Sequence, residues 1–121
     1  MRIMLANLAK MAGDSGGLAK VACAFATEMA RRGHDLALAY SDENPGGFFY
    51  PIDPCVARFN LNDAGNGRMI RFPLRLKLLR EILRCVDKRQ ARAVNDLFQS
   101  SCLKESLRSA IGRFKPEIIV A

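Results

Sequence analysis

Residues that could do chemistry are few in this 121-residue chain, and the clearest group is a glycine-rich turn. Gly13-Asp14-Ser15-Gly16-Gly17 follows an apolar run and precedes a helical pattern. Glycines lack a Cβ, so their amides can approach an anion closely, and the positive end of a following helix points at the same spot. That combination suits a phosphate or diphosphate. The spacing does not match the G-x-G-x-x-G of dinucleotide sites, and no G-K-[ST] is present, so both familiar nucleotide loops fail. A tight strand-to-helix turn that holds no ligand fits the same residues. Asp42 and Glu43 could imitate the ribose-binding acid of a dinucleotide site, but without the glycine fingerprint they read as solvated loop acids. His34 sits in a helix-to-strand turn, opposite the edge where such sheets bind ligands, and reads as structural.

No metal site is expected. Cys23, Cys55, Cys85 and Cys102 form no C-x-x-C pair, and His34 lies near none of them. They read as four reduced cysteines used as small apolar residues. No serine triad can be assembled, and no catalytic residue is identified.

A second chemical feature is charge. The net charge of +7 falls entirely within residues 68–92, where nine basic residues meet only Glu81 and Asp87. The remaining residues carry ten basic and ten acidic groups. On a helical wheel Lys77, Arg80, Arg84 and Lys88 form a basic stripe opposite a wide apolar arc that includes Leu74, Leu78, Ile82 and Val86. Three readings fit: an ordinary amphipathic helix, attachment to an anionic membrane surface or lipid phosphate, and nucleic-acid binding. Few aromatics interleave the stripe, which argues against nucleic acid.

The elements that must position these residues follow from the apolar pattern. Residues 1–6 read as a buried parallel strand and residues 36–40 as a second. Between them Leu18, Val21, Ala22, Phe25, Ala26 and Met29 mark the apolar face of a helix from Leu18 to Arg32, with Asp14 or Ser15 as its cap and Gly33 as its stop. A turn-rich stretch, Ser41 to Pro54, precedes a short third strand at Val56–Leu61 and a polar loop at Asn62–Gly67. One long basic helix is expected from Pro73 to Asn95, and another from Asp96 to Phe114, broken near Ser100-Ser101. Glu117–Ala121 reads as a fourth strand. The fold class is therefore α/β, an incomplete parallel sheet flanked by helices. No apolar stretch approaches the roughly 20 residues that span a bilayer. Asn7 and Lys10 interrupt the N-terminal run, so it does not read as a secretory signal, and a cytoplasmic location is expected.

Taken in order, these phrases resemble the N-terminal domain of GT-B fold glycosyltransferases, retaining family 4 above all. The resemblance rests on Met4-Leu5-Ala6, Gly16-Gly17, the phrase Met29-Ala30-Arg31-Arg32-Gly33-His34-Asp35-Leu36, the linker Phe49-Tyr50-Pro51-Ile52-Asp53-Pro54-Cys55-Val56, and Lys115-Pro116-Glu117-Ile118-Ile119-Val120. It covers nearly the whole chain. Glu117 stands where the family usually has aspartate, and Lys20 where many members carry glutamate or another polar residue. The resemblance implies a Rossmann-like acceptor-side domain. Gly16 and Gly17 would lie near the donor phosphates, and Asp14 and Ser15 would face the cleft. It implies transfer of a sugar from a nucleotide-sugar co-substrate, without a further cofactor, to a glycan or lipid-linked acceptor in cell-envelope polysaccharide synthesis. Residues 1–121 would be a truncated first domain, without the C-terminal nucleotide-sugar domain and inactive alone. The basic stripe would face the inner surface of the membrane. A non-catalytic α/β module that binds a phosphate ligand is the alternative.

Overall fold

The computed structural model describes residues 1–7, 10–11, 13, 15–43, 46–63, 69–98 and 103–121. Asp14, Arg68, Cys102, the loop tip at 64–67 and the expected helix break at Ser100-Ser101 lie outside the described residues.

The chain order is β1 (Arg2–Ala6), α1 (Gly17–Arg31), β2 (Asp35–Tyr40), β3 (Ala57–Asn60), α2 (Leu74–Val86), α3 (Lys88–Phe98), α4 (Lys104–Phe114) and β4 (Ile118–Val120). The four strands form one parallel sheet in the order β3-β2-β1-β4. Met4 lies beside Ala37 on one side and Ile119 on the other. The two central strands read as unbroken apolar runs because both of their faces are covered. Ile3, Leu36 and Leu38 pack under α1 with Ala19, Ala22, Cys23 and Ala26. Met4, Ala37 and Ala39 point the other way, onto Leu61, Leu103, Ala110 and Phe114.

Helix α1 is rotated from its expected position. It buries Ala19, Ala22, Cys23 and Ala26, while Leu18 and Val21 stay 61% and 66% exposed and Phe25 is also exposed. Small side chains let the helix axis approach the sheet, so the small face wins over the bulky one. Of its two candidate caps, Asp14 lies outside the described residues and Ser15 is not the N-cap. Gly16 occupies the N-cap position with no side-chain hydrogen bond. Gly33 does stop the helix, at φ +89°, as its left-handed conformation requires.

The single basic helix expected over residues 73–95 is two helices. Asp87 leaves the helical region at φ −147° and ψ 112°, and its Oδ1 accepts a 2.9 Å hydrogen bond from the Arg89 amide. Asp87 thus ends α2 and caps α3 within one residue. The two helices fold against each other. Phe72 and Phe98 meet at 4.5 Å between ring centroids, with Ala91 buried beside them.

The turn-rich stretch is packed rather than loose. Phe48, Tyr50 and Ile52 lie against the α1 side of the core, and the Asp53 amide donates to Thr27 Oγ1 at 3.2 Å. Nor are all the cysteines buried: Cys23 is, but Cys55 and Cys85 are exposed.

Helix α4 ends at Lys115, which takes the left-handed conformation at φ 52° and donates its amide to Ile111. A non-glycine residue there costs about 1 kcal/mol. Lys115→Gly should therefore raise the unfolding free energy by about 1 kcal/mol, read as a higher denaturation midpoint at unchanged slope.

Candidate functional site

Parallel strands bring their C-terminal ends to one edge, and in open α/β sheets that edge is where ligands bind. Here it collects Ala6-Asn7 after β1, Ser41-Asp42 after β2 and Leu61-Asn62 after β3. The start of α1 lies at the same edge. Ser15, Gly16, Gly17 and Leu18 are all exposed there. The first turn of α1 carries no acidic residue, and its N-cap residue is glycine. A helix start presents backbone donors and a partial positive charge.

The loop is held from outside. Tyr50 donates its hydroxyl to the Ser15 carbonyl at 2.7 Å, and the Gly13 amide donates to Gly47 at 3.2 Å. Gly13 needs its glycine for φ +66°. Gly17 does not. Its conformation is helical, and a Cβ built on it would meet nothing within 4 Å. Neither backbone strain nor packing requires glycine there. Beside this loop an apolar groove of about 370 Å³ runs between α1 and β4, lined by Leu5, Leu18, Val21, Phe25 and Val120.

The other half of the edge is a buried polar network that sequence reasoning missed. Asp42 is only 3% exposed and is no solvated acid; its Oδ2 accepts from the Met11 amide at 3.3 Å. Asn60 bridges to the Asp42 backbone through both ends of its amide, at 3.1 Å each. Asn62, at 1% exposure, accepts from Ser41 Oγ and donates to the Ile70 carbonyl at 2.6 Å. Glu43 is likewise engaged, accepting from the Phe72 amide and from Lys77 Nζ, both at 3.3 Å. These contacts fix the edge against the start of α2. The only hint in the sequence was the recurrence of Asn and Asp just past two apolar runs.

The basic stripe is divided. Lys77 turns back to Glu43, Arg80 and Arg84 share Glu81 at 3.3 and 3.2 Å, and Lys88 belongs to α3. The exposed face of α2 is instead its apolar arc of Leu74, Leu78, Ile82 and Val86. The structure thus places the stripe away from Gly16 and Gly17, on a separate hairpin. His34 lies at the opposite end of β2 from the ligand edge, its amide donating to Met29. Among the described residues no cluster of His, Cys, Asp or Glu could hold a metal ion, and no helix is long and apolar enough to cross a membrane.

No protein-family model, curated protein or solved structure matches this chain.

Three outcomes follow from the local geometry. Gly17→Ala should raise stability by ~0.5 kcal/mol in thermal or chemical melts, because the unfolded chain loses freedom and nothing in the fold objects. Before β3, at the opposite edge of the sheet, the hydrogen bond and charge of Asp53 push the Cys55 thiol above its ordinary value. Less thiolate forms at neutral pH, so Cys55 should react with a thiol reagent more slowly than its exposure suggests, and Asp53→Asn should speed it several-fold. Buried Cys23 should react only on unfolding.

Proposed function

We propose that this chain is the acceptor-side portion of a GT-B glycosyltransferase resembling family 4. It would act on a nucleotide-sugar donor and a glycan or lipid-linked acceptor in cell-envelope polysaccharide synthesis. The observation that carries the reading is the exposure of Gly16 and Gly17, at the start of α1 and the C-terminal edge of an all-parallel sheet. In sugar transfer the leaving diphosphate gains charge as the glycosidic bond to it breaks. Fixed amides and a helix N-terminus stabilise that charge most where it develops. The role of this chain would be to offer those amides, from one wall, to a donor gripped by another domain. The apolar groove along Leu18, Val21 and Phe25 lies next to the same amides and suits the apolar part of an acceptor.

The exposed arc of α2 supports a peripheral place at the inner face of a membrane. Leu74, Leu78, Ile82 and Val86 are open to solvent, with exposed Arg71, Arg75 and Arg89 around them. An interfacial helix buries such an arc at the headgroup boundary while its arginines meet anionic lipid. The stripe of Lys77, Arg80, Arg84 and Lys88 is less suited to that task than the arc and these flanking arginines.

A non-catalytic phosphate-binding module is the second reading. It is favoured by one observation, that the buried edge carboxylate, Asp42, is engaged by a backbone amide.

Titration of the isotope-labelled chain with pyrophosphate tests the first element. Amide signals of Gly16, Gly17 and Leu18 should shift and saturate, and Gly17→Ala should weaken the effect several-fold while the fold gains stability. Unmoved signals at millimolar pyrophosphate would sink the loop as an anion site. Saturation combined with sugar transfer by this chain alone would refute the two-wall arrangement. For the membrane face, Leu78→Ser with Ile82→Ser should cut binding to anionic vesicles at least ten-fold; unchanged binding would remove the arc from the interface.

A further inference from the structure

The loose end is the basic stripe itself. Arg80 and Arg84 stand one turn apart on α2, and Lys88 and Arg92 one turn apart on α3. The hairpin bend at Asp87 brings all four to one cleft of about 400 Å³, closed by Ala91, Asn95 and Asp96. That volume is within the range of small-molecule sites.

Charge in the cleft is not balanced from within. Glu81 serves both Arg80 and Arg84. Among the described residues Asp96 is the one acid lining the cleft. Lys88 and Arg92 make no ion pair among the described residues, so four cations meet two carboxylates. Arg80 is also held in place. Its guanidinium stacks on the Phe72 ring at 4.9 Å, and its Nε is buried without a hydrogen-bond partner among the described residues. A buried donor left without an acceptor is costly, and so are like charges gathered in a concave site. The fold accepts both while it turns the apolar arc of α2 outward, against the ordinary burial preferences of leucine and arginine. An anion in the cleft would offset the gathered positive charge.

We propose that the cleft between α2 and α3 binds the phosphate group of a water-soluble phosphate ester. Such a group brings a charge near −2 and several strong acceptors, which matches the cation excess. Arginines can grip it with two parallel donors each, and Lys88 can neutralise it as a point charge. A soluble ligand is favoured over a lipid headgroup by direction. At 100° per residue the Arg80–Arg84 side of α2 lies roughly 160° around the helix from the centre of the Leu74–Val86 arc. With that arc on a bilayer, the cleft opens away from it. The site is separate from the Gly16-Gly17 loop and stands whether or not that loop binds a diphosphate.

The test uses the whole chain, isotope-labelled, with inorganic phosphate as probe. Amides of Ala91, Arg92 and Asn95 should shift and saturate, and these signals are distinct from Gly16 and Gly17. Arg84→Gln with Arg92→Gln should weaken binding at least ten-fold, whereas Arg108→Gln with Arg113→Gln, an equal loss of charge on α4, should leave it unchanged. Lys88→Gln, a single change at an exposed position, should weaken it several-fold and guards against misfolding of the double variant. Failure to saturate, or equal loss in both double variants, overturns the site. Saturation by phosphatidic acid vesicles without any response to inorganic phosphate would make the ligand a lipid headgroup and overturn the soluble source.

Discussion

Coverage of the β1–β2 pair on both faces is the constraint from which the rest of the structure follows. Met4, Leu38 and Ala39 have no measurable exposure, and they point to opposite sides of the sheet. A parallel pair buried on both faces must have a helix over each, and the crossover that joins its strands must itself be one of them. That role falls to α1. Its tight approach through alanines and Cys23 sets where its own first turn lies, at the C-terminal ends of the strands. The exposed residues Gly16 and Gly17 therefore share an edge with the Asp42–Asn60–Asn62 network. The site is a consequence of how the sheet is covered, not an addition to it.

Much of this was legible in the sequence. All four strands read correctly from short apolar runs; the signature is densest in β1 and β2, whose faces are both covered. The positive φ of Gly13 and Gly33 fits the positions where turns were expected. What failed were decisions among several apolar or polar candidates on one element. Leu18, Val21 and Phe25 carry more hydrophobicity than Ala19, Ala22 and Cys23, yet the small set faces the sheet, because closeness of packing outweighs area per residue at that contact. Asp87 looked like one more charge in a basic helix. Its capacity to cap was visible, but the uninterrupted helical pattern around it suggested continuity. Asp42 and Glu43 read as loop acids since their partners, the amides of Met11 and Phe72, lie 31 and 29 residues away.

The two ends of the molecule illustrate different uses of exposed apolar surface. At β4 the edge strand leaves Ile118, Ile119 and Val120 uncovered beside the groove with Leu18 and Val21. Backbone groups there are unpaired on one side, so the surface offers both hydrogen bonds and apolar contact, the pairing a further strand with its helix would satisfy. At α2 the uncovered arc belongs to a helix whose backbone is internally satisfied. Such a surface can meet lipid without leaving peptide groups unpaired, which an open sheet edge cannot do.

That difference bears on how the hairpin relates to the sheet. Its links to the sheet edge run through the short segment before α2: Glu43 holds the Phe72 amide and Lys77, and Phe72 in turn carries Phe98 and Arg80. Phe72 thus touches both the network at the ligand edge and the cation that enters the α2–α3 cleft. An anion that drew Arg80 toward the cleft would act on its ring contact with Phe72, and so on the segment that Glu43 fixes. The loop and the cleft are distinct places in the fold. Even so, this chain of contacts joins the hairpin to the edge where Gly16 and Gly17 stand.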